Sequence, residues 1–350
     1  MSDRDIREFF HQACPTRPLR SSGHERGHGR GRGRGRGRRR ISPAAMQRRN
    51  ELRAVAAETT AVLPDILADI KGLDPTATSI HHARYLGTLE AKDCPGFTLP
   101  DDDLQAGMKG TRVRVCDQDT FDAALELQPD TKVASVIPRA DDGDIELKPV
   151  AVLNLASELH PGGGWLNGAL AQEEALCYRS SLSLALSPRF YPIPCLSLLY
   201  TPHCILIRTA MGPGSGHQLL YPSTTAESLP VTSVISVAAL RRPEITAAGG
   251  FASVADVDTT KEKIRIVLRI AAMKQHRKIV LGAMGCGAFM NPPQEVANCF
   301  ADVLRENEFR GGWWEDVIFA VLDNVKGDQG GKDGSGNFGI FYRTLNGIIA

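Results

Sequence analysis

The sequence predicts an α/β fold: a mixed β-sheet sandwiched between helices, with an N-terminal helical extension. Three observations lead there. Apolar runs too short for a helix and lacking strict alternation recur along the chain, which marks strands covered on both faces. Amphipathic stretches with helical spacing separate them. The 350 residues contain 42% hydrophobic and 23% charged residues, ordinary globular values with enough apolar material for a large core.

The net charge of +1 conceals two opposite regions. Residues 1–50 hold fourteen Arg against four acids, about +10, whereas the remainder holds 27 basic and 36 acidic residues. A basic tail therefore precedes an acidic body. Within the tail, "GHERGHGRGRGRGRGRRR" (23–40) has no apolar residue to bury and cannot build a core. Arg-Gly repeats suit RNA or other polyanions, through phosphate neutralisation and guanidinium stacking; a solubilising tail is the plain alternative. Residues 1–42 are thus expected to be a disordered Arg/Gly-rich tail. No stretch approaches the roughly twenty apolar residues of a membrane span, and no membrane partner is expected. The N-terminus lacks an apolar signal core, so an intracellular, nuclear or cytoplasmic location is expected. The eight cysteines are scattered without a C-x-x-C or Cys/His cluster, which argues against structural zinc. They are expected to be reduced thiols.

Order is expected from Pro43. "AAMQRRNELRAVAAETTAVLPDILADI" places Leu52, Val55, Ala56, Thr59 and Leu63 on one helical face, and residues 43–110 form the helical extension packed on the core. From residue 111 the chain alternates, and 111–350 form the catalytic core. "TRVRVC" reads as a strand, "QDTFDAALEL" as a helix, and "TKVASVI" and "KPVAVLNLA" as buried strands. The segment beginning Gln-Glu-Glu starts a helix running to about Leu184. "HCILIRTA" and "VTSVISVAAL" read as strands, "KEKIRIVLRIAAMK" as a helix, "RKIVLGA" as a strand, "PPQEVANCFADVLREN" as a helix with proline in its first turn, and "EDVIFAVLD" as a final strand.

Two glycine-rich loops stand out: "HPGGGWLNGALAQEE" (160–174) and "LGAMGCGAFMNPP" (281–293). Each follows an apolar strand and precedes a helix, where α/β sheets collect ligands and helix N-termini favour anions. Two such loops suit a ligand with more than one phosphate. Neither matches a P-loop or a G-x-G-x-x-G fingerprint. On a helix, Glu173 interrupts an otherwise apolar face with Ala169, Leu170, Leu176 and Cys177, and neither Glu173 nor Glu174 has a Lys or Arg at i+3 or i+4. A carboxylate with apolar neighbours beside an anion-binding loop is a candidate acid/base.

"GGG", seven residues, then "QEE" resembles the signature of poly(ADP-ribose) glycohydrolases, which have a macrodomain fold. The wider context, "VLNLASELHPGGGWLNGALAQEEALCYRSSL" with the later "LGAMGCGAFMNPPQEVA", resembles the bacterial and fungal branch over roughly residues 46–345. The resemblance implies a metal-independent glycoside hydrolase without a cofactor, acting on poly(ADP-ribose) or ADP-ribosylated proteins as a monomer. It implies Glu174 as the acid and base, and Glu173 as the residue holding ribose hydroxyls. Gly162, Gly163 and Gly164 would meet the diphosphate and distal ribose, and Asn154 that same ribose. Gly285, Cys286, Gly287 and Ala288 would form a second diphosphate loop, with Phe289 over the sugar. Asn167 and Gln172 would line the site, and Asp119 would accept from the adenine amino group. A mono-ADP-ribosyl hydrolase or a non-catalytic ADP-ribose-binding module with a nucleic-acid-binding tail are the alternatives; the intact acid pair favours catalysis. The chain departs from the family pattern at Ala239, Leu240 and Arg241, where Ala-Pro-Asn is usual, a change at the rim that bears on substrate preference.

Overall fold

The computed structural model describes residues 42–137, 147–211 and 217–350. The expected Arg/Gly tail, apart from Ser42, and the acidic segment 139–146 lie outside these residues. In chain order the elements are α1 (Pro43–Asp69), β1 (Ser79–His82), β2 (Arg114–Cys116), α2 (Thr120–Leu127), α3 (Val133–Val136), β3 (Ala151–Leu155), α4 (Gln172–Arg179), α5 (Leu182–Ala185), β4 (Ser197–Ile205), β5 (Val231–Val237), α6 (Val254–Met273), β6 (Lys278–Leu281), α7 (Pro293–Leu304), β7 (Asp316–Ala320) and α8 (Asn337–Leu345).

The seven strands form one mixed sheet in the order β1-β4-β5-β3-β6-β7-β2. β1 and β4, and β4 and β5, run antiparallel; every pairing from β5 to β2 is parallel. Five consecutive strands therefore end on the same edge of the sheet. Alternate residues serve alternate faces. Ala151, Leu153, Ile235, Ile279 and Phe319 join a core with Ile264 and Val267 of α6, Phe300 of α7 and Phe341 of α8. Val152, Val234, Val280 and Ile318 join a second core with Leu52 of α1, Phe121 of α2, and Leu176 and Tyr178 of α4. Cover on both faces explains why β3 and β5 read as continuous apolar runs. The α/β sandwich expected from the sequence is the architecture found.

α1 buries Leu52, Ala56, Thr59, Leu63 and Ile66, the face that the spacing indicated. It is pinned by polar contacts as well. Thr59 Oγ1 donates to the Tyr178 carbonyl at 3.0 Å, and the buried Arg208 guanidinium pairs with Glu58 at 2.7 Å. Arg179, at the end of α4, is almost fully buried and bridges Asp119 and Asp122 of the α2 region.

Five features differ from the sequence reading. The strand expected at 203–210 runs instead over Ser197–Ile205, held by pairing with β1 and β5. The 43–110 segment is not wholly helical, nor separate from the sheet, because β1 adds to its edge with Ser79 opposite Tyr200 and His82 opposite Ser197. "SIHH" offers one apolar side chain, so pairing with β4 rather than periodicity makes it a strand. "TKVASVI" contains the single helical turn α3. The Ser135 hydroxyl accepts the Lys132 N–H at 2.8 Å, closing the turn, and Val133 and Val136 are buried three residues apart. The helix from Gln172 breaks at Ser180, which bridges to Leu206 of the neighbouring chain segment, and resumes as α5. Finally, α8 follows a loop at 321–336 and had no counterpart in the sequence reading.

Among the described residues no helix is long and apolar enough to cross a membrane. Cys94, Cys116, Cys177, Cys204, Cys286 and Cys299 are free thiols.

Candidate active site

β3 and β6 are hydrogen-bonded neighbours, with Ala151 opposite Ile279 and Val152 opposite Val280. Because they run parallel, the loops that follow them leave the same sheet edge side by side. The two glycine loops picked out from the sequence are therefore adjacent in space. The acid pair, in the first turn of α4, lies against the first of them.

The pair is fixed by backbone donors. Glu173 Oε2 accepts the Ser157 N–H at 2.8 Å, and Glu173 Oε1 lies 3.5 Å from Asn154 Nδ2. Glu174 Oε1 accepts the Gly164 N–H, and Oε2 the Ala171 N–H, both at 2.9 Å. The second of these caps α4 at its own N-terminus, so one carboxylate joins helix start and glycine loop. Both acids are buried. Burial pushes the Glu173 carboxyl up to about 8; the Ser157 N–H opposes this and the neighbouring Glu174 charge adds to it.

The middle glycine of the triplet is dictated by these acids. Gly163 has φ +60°, and a Cβ there would sit 2.4 Å from Glu174 Oε1 and 3.1 Å from Glu173 Oε2. A side chain would occupy the space of the carboxylates. The open backbone thus makes room for the catalytic candidates themselves, in addition to any ligand. In the second loop Gly287 is exposed, and a Cβ on it would meet nothing within 4 Å.

Asn154, the penultimate residue of β3, is fully buried. Its Nδ2 donates to Ser236 Oγ of β5 at 3.0 Å, and its Oδ1 has no partner among the described residues. Gln172 has its amide fully engaged: Nε2 donates to the Leu153 carbonyl at 2.7 Å and to Thr120 Oγ1 at 3.2 Å, and Oε1 accepts the Leu155 N–H at 2.8 Å. It acts as a brace between α4 and β3, holding the acids against the strand that carries Asn154. Asn167 is exposed, and its carbonyl accepts from Arg49 Nε and Arg53 Nε of α1. Asp119 is the N-cap of α2: Oδ1 accepts the Phe121 and Asp122 N–H groups at 2.9 and 3.3 Å and also pairs with Arg179. Only Asp119 Oδ2 is open to another group.

Gly285, Cys286, Gly287, Ala288 and Phe289 form a compact turn closed by Asn291, a residue that the sequence reading passed over. Its Nδ2 donates to the Leu240 carbonyl at 2.6 Å and to the Gly285 carbonyl at 3.2 Å. The Arg242 N–H donates to the Phe289 carbonyl at 2.8 Å. The rim segment at Ala239, Leu240 and Arg241 is therefore bound to the second glycine loop through backbone groups, which any side chain at Leu240 can supply. A third glycine-rich loop, 321–336, leaves the same sheet edge after β7. It winds about Asp323, which accepts the Val325 and Gly331 N–H groups, and Asn337 Nδ2 donates to the Cys286 carbonyl at 3.4 Å. Its signal, "GDQGGKDGSGN" after a strand, was present in the sequence. Among the described residues no group of three His, Cys, Asp or Glu could hold a metal ion.

A glycine-loop α/β domain with two buried carboxylates at the sheet edge is the arrangement of a macrodomain-like hydrolase. Comparison makes the class specific: residues 77–209, which include Asn154, the first glycine loop and both acids, match the family described as microbial-type PARG, catalytic domain. The fold is that of bacterial poly(ADP-ribose) glycohydrolases, as the sequence resemblance implied. The structure of that enzyme from Thermomonospora curvata superposes with a TM-score of 0.59 and 28% identity, covering 84% of this chain and 99% of that one. Its complex with the inhibitor ADP-HPD gives 0.58 and 27%, with the same coverage. The Deinococcus radiodurans enzyme in complex with ADP-ribose gives 0.54 and 27%, covering 81% and 98%. No curated protein sequence matches the chain.

Two substitutions test this geometry. Gly163→Ala adds a Cβ against Glu174 in a left-handed backbone, and is expected to lower unfolding free energy by at least about 1 kcal/mol. Gly287→Ala faces open space and should stay within about 0.5 kcal/mol of the parent; equal losses in urea titrations would contradict the packing described. Glu173 keeps its proton in the folded state up to about 8 but loses it near 4.5 when unfolded. Its contribution to stability is therefore complete below pH 4.5 and is lost as pH rises towards 8. Glu173→Gln removes that loss, so its Tm should gain on the parent's between pH 5 and pH 8. Parallel Tm–pH curves would show that the carboxyl is not held protonated.

Proposed function

We propose that this chain is a glycohydrolase that cleaves the ribose–ribose O-glycosidic bonds of poly(ADP-ribose) and releases ADP-ribose. The observation that carries the reading is Glu174: a buried carboxylate at a helix start, bonded to the Gly164 N–H within the glycine loop, with a second carboxyl behind it.

In this reading an ADP-ribose unit lies along the sheet edge. Its diphosphate meets backbone N–H groups of the two glycine loops, where no side chain intervenes, and Phe289 packs on the distal ribose. Asn154 Oδ1, without a partner among the described residues, accepts from a ribose hydroxyl. Glu173, protonated at neutral pH by its burial, holds the sugar hydroxyls. Asp119 Oδ2 accepts from the adenine amino group.

Glu174 donates its proton to the leaving ribose oxygen as the anomeric C–O bond breaks. The Gly164 and Ala171 N–H groups stabilise the carboxylate that remains. That carboxylate then takes a proton from the water that attacks the oxocarbenium-like carbon, and the acid is regenerated. One residue works in turn as acid and base, unlike the two opposed carboxylates of most glycosidases. The proton chemistry rests on the two carboxyls, and no metal is required.

Glu174→Gln keeps the shape but cannot cycle a proton. It should reduce ADP-ribose release from auto-modified polymer by at least about 100-fold while retaining ADP-ribose binding by calorimetry, and the parent should keep its activity in a chelator. Unchanged turnover in the variant would rule out the mechanism. The Arg/Gly tail is proposed to bring the enzyme, working as a monomer, to RNA or DNA. Deleting residues 1–41 should leave activity on short polymer intact and weaken salt-sensitive RNA binding in gel-shift titrations; unaltered RNA binding would leave the tail as a spacer.

A further inference from the structure

The first turns of α1 place two arginines against the site loop in an arrangement that packing alone does not call for. Arg49 Nε and Arg53 Nε both donate to one acceptor, the Asn167 carbonyl, at 2.7 and 3.2 Å. Two guanidinium groups are thereby held within about 6 Å of each other, where like charges repel. Neither has a carboxylate partner among the described residues, and none of their four Nη atoms has an acceptor there. The two acids of the same helix nearest to them in sequence are engaged elsewhere: Glu51 with Gln47 at 2.9 Å, and Glu58 with Arg208 at 2.7 Å. A single arginine would suffice to hold the loop. The second adds charge that nothing in the described fold neutralises.

The pair is also rigidly referenced to the acids. Asn167 lies three residues beyond Gly164, whose N–H binds Glu174. Gly168 packs so closely on α1 that a Cβ would sit 2.1 Å from the Arg49 carbonyl oxygen. Tyr178 of α4 fixes the same loop from beneath, the single hydrogen of its hydroxyl shared between the Trp165 carbonyl at 2.8 Å and the Ala169 carbonyl at 2.7 Å. The loop is thus packed between α1 and α4 by Gly168 and Tyr178 as well as by the arginines.

We propose that Arg49 and Arg53 form a subsite for the diphosphate of a second ADP-ribose unit, the one joined through the scissile bond to the unit in the glycine loops. This rests on the glycohydrolase reading. Paired planar guanidinium groups with free Nη donors match a diphosphate, which offers two adjacent anionic centres for forked hydrogen bonds. The subsite makes the enzyme prefer polymer over a single ADP-ribosyl group, because only polymer carries a second diphosphate.

The test uses the full chain and its R49Q/R53Q and R49K/R53K variants. In R49Q/R53Q, KM on polymer should rise about tenfold with kcat little changed, and calorimetric affinity for free ADP-ribose should be unaltered. Loss of two phosphate contacts should flatten the slope of log KM against log salt by about 1.4. R49K/R53K, which keeps the charge, should recover much of the affinity. An equal loss of ADP-ribose affinity would mean that the arginines only position the loop, and an unchanged KM would mean that they do not meet the polymer; either result overturns the proposal. So does single-stranded RNA of equal charge whose binding depends on the pair as strongly as polymer binding does. A parent chain that binds ADP-ribose but leaves polymer intact refutes the glycohydrolase reading instead; fluorescence anisotropy of labelled polymer then decides the subsite by the same comparison of variants.

Discussion

Everything at the sheet edge is organised by the placement of two carboxylates where water is largely excluded. Burying such groups is costly unless donors surround them, and here the donors are backbone N–H groups of Ser157, Gly164 and Ala171. The loop must therefore wrap tightly enough to deliver its amides, and it can do so only with glycine at 163. The acids and the glycines solve one problem together. The remaining desolvation is expressed in Glu173, whose carboxyl holds its proton to about 8, while Glu174 keeps the nearer place beside the loop.

The rest of the fold keeps that small assembly in place. Gln172 ties the start of α4 to β3, and Arg179 ties its end to the α2 region through two aspartates. From outside, α1 closes on the loop through Arg49, Arg53 and the contact at Gly168. The second glycine loop is braced separately by Asn291 and Asn337. Side chains near the site thus divide between those open to a ligand and those that hold others still, and Gln172 belongs to the second group although it sits inside the signature motif.

Much of this was legible in the sequence, for identifiable reasons. The strands of the central sheet and the helices α6 and α7 carry their periodicity locally. The glycine triplet followed by two unpaired acids indicated a site, and the resemblance supplied its chemistry. What was illegible had no local signal. β1 has one apolar side chain and becomes a strand through β4. α3 looked like a strand until the Ser135 hydroxyl closed a turn. Asp119 could be read as a ligand contact or as an N-cap, and one of its oxygens is committed to the cap and to Arg179. Asn291 is a single amide in a loop, and its role exists only once Leu240 and Gly285 are brought to it.

The sequence by itself determined the α/β class, the two glycine-rich loops and the acid pair, because hydrophobic period and backbone permissiveness are properties of contiguous residues. Only the tertiary structure decided that the loops are neighbours, since that follows from β3 pairing in parallel with β6 across more than a hundred residues of chain. It likewise decided that burial pushes the Glu173 carboxyl upward, because desolvation and donor geometry depend on every element packed around a carboxyl. And it brought two arginines of the first helix to the Asn167 carbonyl beside the first glycine loop, a convergence of charge that no stretch of sequence contains.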